Sequence, residues 1–488
     1  MFARGISFLR FVCRMRAGAS RHIYRSSALC PSPTAPGSTP MVCASRAASG
    51  QAISSSNKHA PVPPSIFPKE GFKILDPSRP IEEESLPFYR PELFYPVHLG
   101  EVFKDRYQLV AKLGYGASST VWLGHDLIER RYVALKIFVN SIPRNPELEV
   151  LQHLKGVRSE HNGREFMRLL ETSFQLEFSG KTHDVFVLRP LGLSVQALQE
   201  YQPDRVYDEE IASSTAQSAL IALNFLHEEA RVIHAGECRT ADPIYRLFGS
   251  PDTSLNQNPP SNQDVHSGNL LLGISDESCL AEYEHSELAK PTPRKILADR
   301  VIHVSRISFN VGQVPHLCDF GHSRICTNGN LQQGRAMPVQ YRTPEMLLDM
   351  PWGYSVDLWA LALTIWDLLE PEPLFKVYEP TDSALNEAFH LAHMVALMGP
   401  PPLEFLKRSA TSTRYWDEDG KWKEAVPIPP PTSLESRFTR FGGQRKALFL
   451  DFIRALLRWD PQRRSSSGEA YMHPWLARVR GDDDDLSA

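Results

Sequence analysis

Three polar residues constrain this chain more than anything else in it. They are Asp264 and Asn269, in Asp264-Val265-His266-Ser267-Gly268-Asn269, and Asp319, in Asp319-Phe320-Gly321. Each acid alone would pass for a surface charge. Together with the apolar Leu270-Leu271-Leu272 that follows Asn269, they read differently. Carboxylate and amide oxygens are the donors that a hard divalent cation takes, and a buried strand between them would carry them to one place.

The amino-terminal half of the folded region reads as strands. Tyr107 to Leu113 is strand-like, Gly114-Tyr115-Gly116-Ala117-Ser118-Ser119 turns, and Thr120 to Gly124 resumes as a strand. A glycine-bearing turn between strands lets backbone N–H groups approach phosphates without side-chain obstruction, although Ser119 stands where a third glycine would complete GxGxxG. Tyr132-Val133-Ala134-Leu135-Lys136-Ile137-Phe138 then sets one lysine inside an apolar run. A buried ammonium needs a partner. The spacing before Val150, Leu151 and Leu154 points to Glu147 on the next helix, with Glu149 as the alternative register. Asp184 to Leu188 is a buried-looking strand leading to Arg189-Pro190-Leu191-Gly192.

The other half reads as helices. Apolar residues at helical spacing run from Ile211 to Glu228, and a short apolar stretch ends at His234. Between Ala235 and Asp264 lie 28 residues, Gly236 to Gln263, polar and with four prolines. They show neither helical nor strand periodicity. Deleting them leaves Val-Ile-His-Ala-Asp-Val-His-Ser-Gly-Asn unbroken, so the segment reads as a retained intron or as a surface insertion. Donor and acceptor dinucleotides in the gene would decide between the two. As an insertion it costs modest loop entropy, but displacement of Asp264 by an ångström would matter greatly. A second long connection, residues 273–314, exceeds a tight turn and is expected to pack as its own excursion.

Composition bounds the rest. A formal net charge of -4 over 488 residues gives no global attraction to nucleic acid. The seven cysteines form no CxxC pair, so a reducing compartment fits and no disulfide framework is expected. No apolar run reaches membrane-spanning length. Residues 1–69 contain no acid and, with six arginines by Arg25, read as a basic, Pro/Ser-rich extension or a mitochondrial transit peptide. Residues 31–68 within them read as a linker. Residues 70–106 read as a further extension, 107–192 and 193–478 as two lobes, and 479–488 as an acidic tail.

With these motifs in view, the stretch from about residue 84 to 478 resembles the eukaryotic protein kinases, most closely the SR-protein-specific serine/threonine kinases. The resemblance rests on Tyr95-Pro96-Val97-His98-Leu99-Gly100-Glu101-Val102-Phe103, on Leu113 to Leu123 with Ser119 included, and on Gln340-Tyr341-Arg342-Thr343-Pro344-Glu345. The connection before Asp319 also sits where that family carries its spacer. The resemblance implies an α+β bilobal fold with a small β-rich N-lobe and a larger helical C-lobe. It implies transfer of the ATP γ-phosphoryl to protein hydroxyls, with ATP and Mg²⁺ as cofactors. Asp264 would be the catalytic base, Lys136 and Glu147 the phosphate-binding pair, and Asn269 and Asp319 the metal ligands. Leu113, Gly114, Gly116, Val121, Ala134, Lys136, Leu188 and Leu191 would hold the nucleotide. Glu345 would pair with Arg464, and Asp357 would hold the catalytic-loop backbone. Substrates would be proteins, of the Arg/Ser-rich splicing type, met by a monomer in cytoplasm or nucleus without direct nucleic-acid binding.

Three departures stand out. His266 replaces the catalytic-loop lysine, which weakens the usual γ-phosphate contact. No arginine precedes Asp264, which implies activity independent of activation-loop phosphorylation. The interruption is the third, and it leaves open a catalytically impaired scaffold. The His-x-Asp-x-His-x-Gly-Asn string that excision would leave also resembles small-molecule phosphotransferases, against which the Tyr341–Glu345 and Asp460–Arg464 motifs speak.

Overall fold

The computed structural model describes residues 61–86, 89–140, 145–234, 265–306, 311–326 and 329–477. The acid-free extension up to residue 60, the interruption 236–263 with Asp264, and the acidic tail 479–488 lie outside the described residues.

Residues 102–188 build one antiparallel sheet from β1 (Val102–Phe103), β2 (Tyr107–Gly116), β3 (Ser119–Asp126), β4 (Arg131–Phe138), β5 (Leu170–Phe178) and β6 (Lys181–Leu188). The strand order is β1-β2-β3-β4-β6-β5. Its central strands are apolar on both faces because both are covered. Val133, Leu135, Ile137, Val185 and Val187 join Leu109 and Trp122 on one side. Ala134, Phe138, Phe186 and Leu188 face the main core on the other. Alternation along β4 thus puts Lys136 on the inner face with Ala134 and Phe138. The glycine hairpin is tighter than its letters suggest. Strand β2 continues through Gly116, which pairs with Ser119, leaving Ala117-Ser118 as the turn.

Helix α1 (Pro146–Gly156) starts at Asn145, whose side chain accepts from the Glu147 N–H at 3.1 Å. Proline at its first position has no N–H to orphan. Helix α2 (Glu209–Asn224) is capped by Asp208 and continues as a π-turn to Ala230, where Arg231 at φ 56 ends it. This is the helix expected over 211–228. Strand β7 (Val232–Ile233) follows, and β8 (Leu270–Ile274) leads into the second connection.

That connection is not a separate excursion. Its helix α3 (Ser278–Ala289) and hairpin β9 (Arg294–Ile296)–β10 (Val301–His303) reach back to the first sheet before β11 (Val311–Leu317) returns alongside β8. Cys279 and Leu280 pack on Val110, Ala111 and Leu123. Glu284 accepts from Ser65 (2.5 Å) and Tyr132 (2.6 Å). Residues 61–68, linker-like in composition, are therefore tied down through Ser65. The Lys112 ammonium, fully buried in β2, meets Glu83, Glu82 (3.4 Å) and the His303 carbonyl (3.1 Å).

Beyond β12 (Arg324–Ile325), the C-terminal lobe is helical around α4 (Ser355–Leu369), with α5 (Ser383–Met398) and α6 (Gly443–Leu456). Helix α4 is apolar nearly all round, as a helix at the centre of a core must be. One continuous core runs from Leu151 and Leu154 of α1 to Trp359 and Trp366 of α4. The architecture is the α+β, two-lobed one that the resemblance implied. Among the described residues, no helix is long and apolar enough to cross a membrane.

Candidate active site

Pairing of β8 with β11 explains how Asn269 and Asp319 meet. Leu270 faces Leu317 across the ladder, so Asn269 lies one residue before it and Asp319 two residues after its partner. The Cys318 N–H closes the gap by donating to the Asn269 carbonyl at 2.9 Å. Asp319 adopts φ 61. A non-glycine residue in that left-handed region is strained, and such strain persists where the surroundings over-determine it.

Lys136 approaches from the sheet. Its Nζ lies 2.6 Å from Glu147 Oε2, in a pair that is almost wholly enclosed. Burial works to lower the lysine pKa, but the Glu147 and Asp319 carboxylates outweigh it, and the net direction is upward. The ammonium stays charged and within electrostatic reach of both acids. Glu149, the alternative partner, is exposed. Around this pair, Leu113 and Val121 pack partly buried against a cluster holding Ala134, Leu188 and Leu272. Leu191 is buried just beyond β6. A Cβ at Gly114 or Gly116 would meet nothing within 4 Å, so the hairpin has open space beside these two positions.

The catalytic loop is held from below by α4. Asp357 accepts from the His234 N–H (2.9 Å) and pairs with His227 Nε2 (2.8 Å). Seven residues on, the Thr364 hydroxyl donates to the Val265 carbonyl at 2.6 Å. Residues 234 and 265, the described edges of the interruption, are therefore both fastened to one helix. His234 also reaches the Cys318 carbonyl (3.0 Å) and stacks edge-on against Phe320. Asp264 lies outside the described residues.

On the substrate side, Arg464 grips Glu345 with two bonds of 2.6 Å, both side chains fully buried. Tyr341 donates to Asp367 at 2.7 Å. Arg335 and Arg342 converge on Glu387 (2.5 and 3.3 Å). Thr364, Asp367 and His227 were not singled out from sequence. Two of them carry the same signal that exposed Lys136, a polar residue alone in an apolar run.

An amide and a carboxylate at one strand end, with a charged lysine opposite, are chemically suited to Mg²⁺ on a polyphosphate. A buried imidazole nitrogen nearby, His266 Nε2, has no partner among the described residues. These residues fit the nucleotide and metal that the resemblance implies.

Comparison with known proteins agrees. The protein kinase domain model matches residues 307–476. A serine/threonine protein kinase of Aspergillus fumigatus is 36% identical over 86% of this chain and 96% of its own length. The serine/threonine-protein kinase SRPK of Physarum polycephalum is 26% identical over 82% of this chain and 92% of its own. Protein kinase dsk1 of Schizosaccharomyces pombe is 24% identical over 81% and 85%. Neither the impaired-scaffold nor the small-molecule reading has comparable support. The chain belongs to the serine/threonine protein kinases and is similar to their SR-protein-kinase branch.

Proposed function

We propose that this kinase transfers the γ-phosphoryl group of ATP to serine or threonine hydroxyls of Arg/Ser-rich proteins, as a monomer in cytoplasm or nucleus. The single observation that carries the site assignment is the enclosed Lys136–Glu147 pair at 2.6 Å, close enough to Asp319 for that acid to act on the lysine. Lys136, oriented by Glu147, neutralises the α- and β-phosphates. Leu113, Gly114, Gly116, Val121, Ala134, Leu188 and Leu191 form the nucleotide bed. Asn269 and Asp319 hold Mg²⁺, which when bound supplies neutralisation of phosphate charge. Asp264 accepts the proton of the attacking hydroxyl as the oxygen–phosphorus bond forms and ADP leaves.

Radiolabelled phosphate transfer to an Arg/Ser-repeat peptide tests this with the full chain. Native protein is expected to label the peptide. Lys136→Met and Asp264→Ala are each expected to lower the rate by at least about 100-fold, as removal of a charge-stabilising or base group does. Labelling only by a chain lacking 236–263 would locate an inhibitory effect in that segment. No labelling by either form would overturn the assignment.

A further inference from the structure

We propose that His266 is a further catalytic residue of this kinase, donating a hydrogen bond from a neutral imidazole to the phosphoryl group being transferred. The inference rests on the nucleotide site proposed above and extends it to a residue that looked like a loss.

The geometry fixes the ring's chemistry. The Gly268 backbone N–H donates to His266 Nδ1 at 2.9 Å. An accepting Nδ1 carries no proton, so the ring's one N–H is on Nε2. The imidazole is neutral while that bond holds. Nε2 is buried and meets no hydrogen-bond partner among the described residues. A buried donor left unmade costs about 1–3 kcal/mol, and such groups in native proteins call for an explanation. Among charged groups, Asp319 is the one acting most strongly on the ring. A donor without an acceptor, beside the carboxylate that faces the phosphates, is the arrangement expected where the acceptor arrives with substrate.

Gly268 is part of the device. A Cβ there would lie 2.4 Å from His266 Cε1, 2.8 Å from Nδ1 and 2.7 Å from Gln196 Oε1. The ring therefore lies over a position that only glycine leaves clear. Gly268 thus seats the imidazole, by its open α-carbon and by its N–H. A lysine brings a full charge on a flexible stem. This ring brings one directed donor at little rotational cost, and no charge to disturb Asp319.

The test is differential nucleotide affinity in the full chain, measured calorimetrically with Mg-ATP and Mg-ADP. His266→Leu and Gly268→Ala are each expected to lower ATP affinity about tenfold or more, the worth of a hydrogen bond to a charged group, with ADP affinity little changed. The double variant is expected to be no worse than either single one, since both remove the same contact. His266→Gln, which keeps an acceptor and a donor, is expected to recover part of the loss. In native protein labelled with ¹⁵N-histidine, one Nε2 resonance is expected to move with a non-hydrolysable ATP analogue and not with ADP. Equal losses for ATP and ADP, or no nucleotide-specific shift, would reduce His266 to a packing residue. Failure of the native chain to bind either nucleotide would overturn the site itself.

Discussion

Asp367 shows most plainly what one residue's surroundings can do. It lies near the end of α4, where desolvation raises its carboxyl to about 7 although the Tyr341 hydroxyl donates to it. The unfolded chain binds that proton near 3.8. A raised carboxyl contributes stability that is full below the unfolded value and is lost as pH rises through the folded one. Between about pH 4 and 7 the native melting temperature is therefore expected to fall relative to that of Asp367→Asn. Thermal unfolding across that range checks it, and parallel curves would dismiss the effect. Lys136 is the opposite case. There the neighbouring acids overcome desolvation, so the charge survives burial.

At the scale of elements, α4 is the post to which the catalytic loop is tied. Thr364→Val keeps the side-chain shape but leaves the Val265 carbonyl unpaired, at a cost of about 1–3 kcal/mol. Its expected effect is a lower kcat with the KM for ATP nearly unchanged, read in steady-state assays. A change confined to KM would show that Val265 positions nucleotide instead. Helices α1 and α2 were legible from apolar spacing, and Lys136 with Glu147 from the need of a lone buried ammonium for a partner. The hairpin was legible in kind but not in extent, because Gly114 and Gly116 look like turn residues yet pair in the ladder. The docking of α3 and β9–β10 was not legible. Its contacts join Glu284 to Tyr132 and the His303 carbonyl to Lys112, with Glu287 and Arg306 paired inside it, and each of those charges looks solvent-exposed in a linear reading. Periodicity reports which face is apolar, and it is silent about polar groups that bury one another across great separations.

Viewed as a whole molecule, the second connection straps the C-terminal lobe's β8–β11 ladder to the back of the N-terminal sheet. Glu284 is held down to about 2, chiefly by His125, with Ser65 and Tyr132 adding to it. Removing one partner of a buried pair costs about 3–5 kcal/mol because the other charge remains. Lys112→Met is therefore expected to lower the melting temperature and to raise hydrogen exchange together in residues 82–86, 294–306 and β2. Exchange rising in β2 alone would show that the strap acts as separate pieces. A different consequence follows from the two anchors on α4. His234 and Val265 are fastened at points seven residues, about 10 Å, apart on one rigid rod. Their spacing is thus imposed by that rod and not by the polypeptide joining them. The joint is a natural seam, where the protein could be severed into two complementing fragments or lengthened over evolutionary time without the machinery on either side losing its alignment.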